Sequence, residues 1–148
     1  MLTTILLLLQ LLQVAFLWVH DWLPLGSLND VRAIRAQDSL RRLIIVTLIQ
    51  SLPFTVILVL SAVYIGRPYP SWLVTSLWVS YSILLVGQLR AWWLPYLFRA
   101  EPERAARYRA MFGSTHSFLS VRNGLVPNTA HILLHVCTVA TLAVLFAM

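Results

Sequence analysis

Two histidines stand four residues apart in "PNTAHILLH", at His131 and His135, where the last apolar segment of the chain begins. On a helix that spacing puts both rings on one face. Such a pair can hold a divalent metal from two points, with His20 and His116 or Asp21 completing the sphere for Zn, Fe, Cu or Mn. Set opposite His20 on a facing helix, the same residues can instead be axial ligands of a haem. Either ring can also act as the acid or base of an enzyme working on a lipid or quinone. The run lacks the glutamate of the H-E-x-x-H pattern, so it does not encode the general base of a zinc protease. No Ser-His-Asp or Cys-His arrangement is visible, and the single cysteine, Cys137, falls about 200° around the helix from His135. The competing role is structural: histidines and glutamines that hydrogen-bond between helices, each bond contributing about 0.6 to 2 kcal/mol.

Other polar residues fall into register with this pair. At about 100° per residue, Asn128, His131, His135 and Thr138 lie within roughly 80° of one another. Gln10, Gln13, Leu17 and His20 do the same on the first apolar segment. With a rise of about 1.5 Å per residue, Gln13 and Gln50 lie about 10 Å from one common end, and Gln88 and His135 about 8 to 9 Å from it. Polar groups in hydrocarbon turn toward the bundle interior or a hydrated cavity, so the expectation is one shared polar layer. Arg90, Arg122, Asn123 and Asn128 extend it toward an anionic group, through bidentate arginine bonds and a helix N-terminus. The candidate site therefore comprises His131 and His135 as catalytic groups and Gln13, Gln50, Gln88, Arg90, Arg122, Asn123 and Asn128 as ligand-binding groups. His20, His116, His131 and His135 are its candidate metal ligands.

These residues need elements to carry them. The 148-residue chain is 59% hydrophobic and 11% charged, against about 25% charged in an ordinary soluble domain. Four apolar stretches reach the roughly 20 residues that a helix needs to cross a membrane. They run from Leu2 to Val19, Leu43 to Tyr64, Trp72 to Trp93 and Thr129 to Met148. Membrane-barrel strands alternate apolar and polar positions, whereas "LIIVTLI" and "VILVLSAVY" are apolar all round. The expected fold is all-α: one membrane domain over residues 1–148, four transmembrane helices in an antiparallel bundle. "MLTTILLLLQ" carries no basic residue and no small-x-small site follows it, so this segment is read as a retained helix rather than a secretory signal.

Orientation follows from the arginines, there being no lysine. Ten of the eleven (32, 35, 41, 42, 90, 99, 104, 107, 109 and 122) fall on the side of the two long connections, and Arg67 alone on the other. The positive-inside rule makes both long connections cytoplasmic and both termini external, as in a bacterial cytoplasmic membrane. Attraction to anionic headgroups accounts for the +6 charge, and with no recognisable nucleic-acid motif a nucleic-acid partner is disfavoured. Tyr64, Tyr69 and Trp72 are expected at the outer boundary, and Trp18, Trp22, Trp92, Trp93 and Tyr96 at the inner one. Asn29 or Asp30 can cap a short helix carrying Val31 and Ile34, and Asp38 or Ser39 can cap the second span. "PERAARYRAMF" reads as an amphipathic helix over 102–112 on the inner surface, its arginines reaching lipid phosphates. Two functional classes emerge: a cytoplasm-facing pocket for a metal, a haem, or a polar or lipid ligand, with or without chemistry on it, and a non-catalytic subunit of a homo-oligomer or membrane complex.

Overall fold

In the computed structural model, which describes residues 1–148, the apolar runs become helices because only internal hydrogen bonding satisfies the backbone in hydrocarbon. Helix α1 spans Leu2–Val19. A short helix, α2, spans Val31–Gln37, its first turn capped by the Asp30 carboxylate, which accepts from the Ala33 N–H at 2.9 Å. Helix α3 (Leu40–Val63) starts at Ser39, whose hydroxyl accepts from the Arg42 N–H. After the "GRPYP" turn comes α4 (Ser71–Gln88), then a π turn over Leu89–Trp93 and a short α5 (Leu94–Leu97). Helix α6 is Pro102–Phe112 and α7 is Thr129–Phe146. Four helical stretches are long and apolar enough to cross a membrane: α1, α3, α7 and the continuous run Ser71–Leu97. They mark the chain as a membrane-embedded helical protein.

The π turn has a local cause. Pro95 has no N–H to offer the Ala91 carbonyl, so the helix widens there and the Leu94 N–H bonds back to the Leu89 carbonyl instead. The carbonyl left over is taken by the Tyr108 hydroxyl, which donates to Ala91 O at 3.1 Å. This bond fastens α6 to the end of the third span.

Helix α1 lies between α3 and α7, and α7 also packs along α4, while α3 and α4 touch more sparsely. Leu6, Val14 and Leu17 of α1 meet Phe54 and Ile57 of α3, Leu73, Leu77 and Tyr81 of α4, and Leu134 and Leu145 of α7 in one core. Two tryptophans tie α1 and its exit to α3: Trp18 Nε1 donates to Thr55 Oγ1 at 3.0 Å, and Trp22 Nε1 to Thr47 Oγ1 at 2.9 Å.

A hydrogen-bonded chain joins three of the spans, and its direction is forced. Gln13 Nε2 faces the Leu9 carbonyl at 3.1 Å, so the nitrogen must be on that side. The same nitrogen donates to Thr141 Oγ1 at 2.9 Å, whose proton goes to the Cys137 carbonyl. Gln13 Oε1 then accepts from Thr138 Oγ1 at 2.9 Å, a hydroxyl that also lies 3.0 Å from the Leu134 carbonyl. With that proton committed, Thr138 can only accept from Gln88 Nε2, which it does at 2.9 Å. Gln88 Oε1 is left without a protein partner.

At the arginine-rich end the connections fold back over the bundle. Asp38 receives Arg107 Nη2 at 2.6 and 2.7 Å and Arg42 Nε at 3.1 Å. Under this clamp Ile34, Leu43 and Met111 form a small second core with Trp22, Tyr108 and Phe112. The segment after α6 is pinned by its backbone: the His116 N–H donates to Ser27 O at 2.7 Å and the Thr129 N–H to His116 O at 2.8 Å. Asn123 and Gly124 make the expected tight turn, both at positive φ (53° and 79°).

Thr138→Val keeps the side-chain shape but strands Gln13 Oε1 and Gln88 Nε2. A loss of about 1 to 2 kcal/mol is expected in denaturation from mild detergent, with most of it restored in Thr138→Ser. Asp38→Asn weakens the clamp on α6. Amide exchange of α6 is expected to quicken by about tenfold while that of α7 is unchanged, as hydrogen-exchange mass spectrometry would read.

Candidate functional site

Two cavities meet at the arginine-rich end. The inner one, about 330 Å³, is walled by Leu17, Phe54, Ile83, Leu84 and Leu134, with His20, Gln50, Gln88, Trp92, His131 and His135 at its polar margin. Gln50, Ile83 and Gly87 on this wall are exposed, so the cavity reaches the lipid-facing surface between the sparsely packed α3 and α4. Gly87 borders open space on this wall: a Cβ added there would meet nothing within 4 Å. The second cavity, a polar vestibule of about 500 Å³, lies under α6 and is lined by Arg42, Arg104 and Arg107 together with Asp21, Asp38, Glu101 and Glu103. His20, Gln50 and Trp92 belong to both walls, so the two spaces adjoin.

The histidines are held by bonds that fix where their protons sit. Asn128 caps α7: its Oδ1 accepts from the His131 N–H at 3.0 Å while its Nδ2 donates to the Leu28 carbonyl at 3.1 Å. That amide oxygen also lies 2.6 Å from His131 Nδ1. An acceptor there requires His131 to carry its proton on Nδ1, so in the neutral ring Nε2 is a lone pair. His135 is the reverse. The indole Nε1 of Trp93, which can only donate, lies 2.9 Å from His135 Nδ1, so neutral His135 carries its proton on Nε2. Neither Nε2 has a protein partner, and neither is among the sealed unpartnered atoms, so both stay reachable.

His20 is occupied on both sides. Its Nδ1 lies 3.0 Å from the Phe16 carbonyl and its Nε2 3.2 Å from Asp21 Oδ1, so one proton is shared between the ring and the carboxyl. Burial raises the Asp21 carboxyl above its ordinary range, the His20 charge opposes this, and Asp38 adds to it. Around His131 the rings of Trp92 (4.3 Å between centroids), Phe112 (5.2 Å), His20 (5.8 Å) and Phe16 (6.1 Å) form an aromatic cage.

This geometry does not provide the metal or haem site read from the spacing. No group of three His, Cys, Asp or Glu side chains is placed to hold an ion. His20 uses both ring nitrogens, His135 would have to abandon Trp93 to offer Nε2 as a lone pair, and exposed His116 bonds Thr129 Oγ1 at 2.7 Å, outside both cavities. His20 and His131 stand edge to face at 5.8 Å, in direct ring contact, so no porphyrin fits between them.

The remaining candidates separate. Gln50, Gln88, His20, His131 and His135 gather at the inner cavity. Gln13 sits behind them, bonded to Thr138, and Asn128 acts through His131. Arg90 and Arg122 are exposed and line neither cavity, and Asn123 Nδ2 donates to the Tyr96 carbonyl at 2.8 Å. Sequence reasoning did not single out Trp92, Trp93, Gly87 or the Arg42–Asp38–Arg107 group as site residues. Indoles at a span boundary read as interface anchors, and no local signal distinguishes an anchoring indole from one that orients a histidine. No protein-family model, curated protein or solved structure matches the chain.

In ¹⁵N-labelled protein in mild detergent, ring spectra are expected to show neutral His131 protonated on Nδ1 and neutral His135 on Nε2. Trp93→Phe should release His135 into a mixture of tautomers and leave His131 unchanged. A His135 already mixed in the wild type would refute the assignment.

Proposed function

We propose that this protein binds a lipid-like amphiphile taken laterally from the bilayer, its tail in the inner cavity and its charged head in the vestibule. The observation that carries this reading is the shared wall of His20, Gln50 and Trp92 between an apolar space open toward lipid and a charged space under α6. A ligand pocket with apolar walls and few fixed polar groups is what such a molecule needs. Gln50 supports it further, because an exposed amide within a membrane-spanning helix is costly unless it faces a hydrated or occupied cleft. A purely architectural role for the polar layer explains Gln13 and Thr138 and leaves Gln50 without a function.

In this reading the four spans form an antiparallel bundle. The arginine excess orients both long connections and α6 toward the cytoplasm of a bacterial cell, with both termini outside. The head then lies where cytoplasmic-leaflet phosphates lie. Arg104 supplies an anion contact there, and Arg107 and Arg42 are already engaged by Asp38.

Gly87→Leu tests the pocket by adding an apolar side chain to its wall without replacing a polar group, since a Cβ there meets nothing within 4 Å. Native mass spectrometry of wild-type protein from mild detergent is expected to show a retained amphiphile. In the variant its occupancy should fall at least fivefold while the thermal midpoint moves by only a few degrees. Equal occupancy in the two proteins, or none in the wild type, would refute the reading.

A further inference from the structure

The inner cavity holds one fixed donor beside one unfilled acceptor. His135 presents Nε2–H because Trp93 occupies its Nδ1. His131 presents a lone pair on Nε2 because Asn128 takes its Nδ1 proton. Gln88 Oε1, orphaned because the relay from the Leu9 carbonyl through Gln13 and Thr138 commits its amide nitrogen to Thr138, is sealed from the cavity and is not one of the groups presented there. None of these polarities can be reversed without breaking another bond. A buried acceptor with no donor is costly, and the cost is recovered when a ligand supplies one.

From this we infer that the ligand carries, at the depth of His135, a group that both donates and accepts a hydrogen bond: a free hydroxyl or an N–H amide. The inference rests on the amphiphile reading above and narrows it. A molecule offering only ester or ether oxygens at this level can accept from His135 Nε2–H but leaves His131 Nε2 unfilled. A hydroxyl fills the donor and an acceptor together, and so does an amide. The site therefore selects hydroxyl- or amide-bearing amphiphiles, such as a single-chain glycerophospholipid with a free hydroxyl, over fully esterified lipids. Sites built around a buried hydrogen bond reject analogues that lack it, because the protein group is then stranded.

The test is a matched pair: 1-oleoyl lysophosphatidylethanolamine and its 2-O-methyl ether, titrated into delipidated full-length protein in mild detergent and followed by intrinsic tryptophan fluorescence. These differ at the hydroxyl alone and share tail and head. The hydroxyl form is expected to bind about tenfold more tightly, and this preference should shrink to less than threefold in His131→Phe. Equal binding of the two would overturn the hydroxyl inference while leaving the amphiphile reading in place. Binding of neither would overturn both. Should His131→Phe fail to fold, the wild-type pair alone decides the matter.

Discussion

The fixed point of this molecule is the Leu9 carbonyl. It has no choice of polarity, so it dictates the orientation of the Gln13 amide. Gln13 then dictates where the Thr138 proton goes, and Thr138 dictates which end of Gln88 faces inward. In water any of these groups could turn over and find another partner. In a bundle surrounded by hydrocarbon there is no substitute partner, so one carbonyl on α1 sets the polarity of an atom on α4. The same logic runs in parallel on α7, where the Leu28 carbonyl fixes Asn128 and Asn128 fixes His131. Packing brings the spans together, the first chain ties three of them, and the second decides what His131 presents to the cavity.

The spans were legible in the sequence because hydropathy over about 20 residues is a property of composition, independent of what the helix touches. The polar stripe of Asn128, His131, His135 and Thr138 was legible for a similar reason: helical periodicity alone brings those residues to one face. The capping role of Asp30 and the Asn123-Gly124 turn were local signals and appeared where expected. Long-range choices were hidden. Asp38 could be read as a cap or as a partner of nearby arginines, and its strongest contact is with Arg107, 69 residues away. His131 and His135 look alike in sequence, yet Asn128 and Trp93 give them opposite proton placement. Nothing at spacing i, i+4 encodes that difference, and the metal expectation started from treating the two rings as equivalent.

Charge is divided as sharply as polarity. The chain has five carboxylates, and four of them, Asp21, Asp38, Glu101 and Glu103, line the vestibule beside three arginines. The other arginines lie outside that space. The excess positive charge therefore belongs to the rest of the molecule, and the vestibule itself is close to balanced. Pairing Asp38 with Arg107 and Arg42 closes α6 over this space.

The π turn over Leu89–Trp93 lets two neighbouring tryptophans serve different layers, Trp92 in the cage around His131 and Trp93 on His135. A π turn is an α-helix carrying one surplus residue. In terms of chain length, this stretch is counted to the residue: losing one would restore ordinary helical geometry and remove the bulge that lets the two indoles reach separate partners. The "GRPYP" turn at the opposite end has no such bookkeeping. Insertions and deletions among homologous chains should therefore accumulate at that turn and be absent from Leu89–Trp93, even where the individual side chains differ.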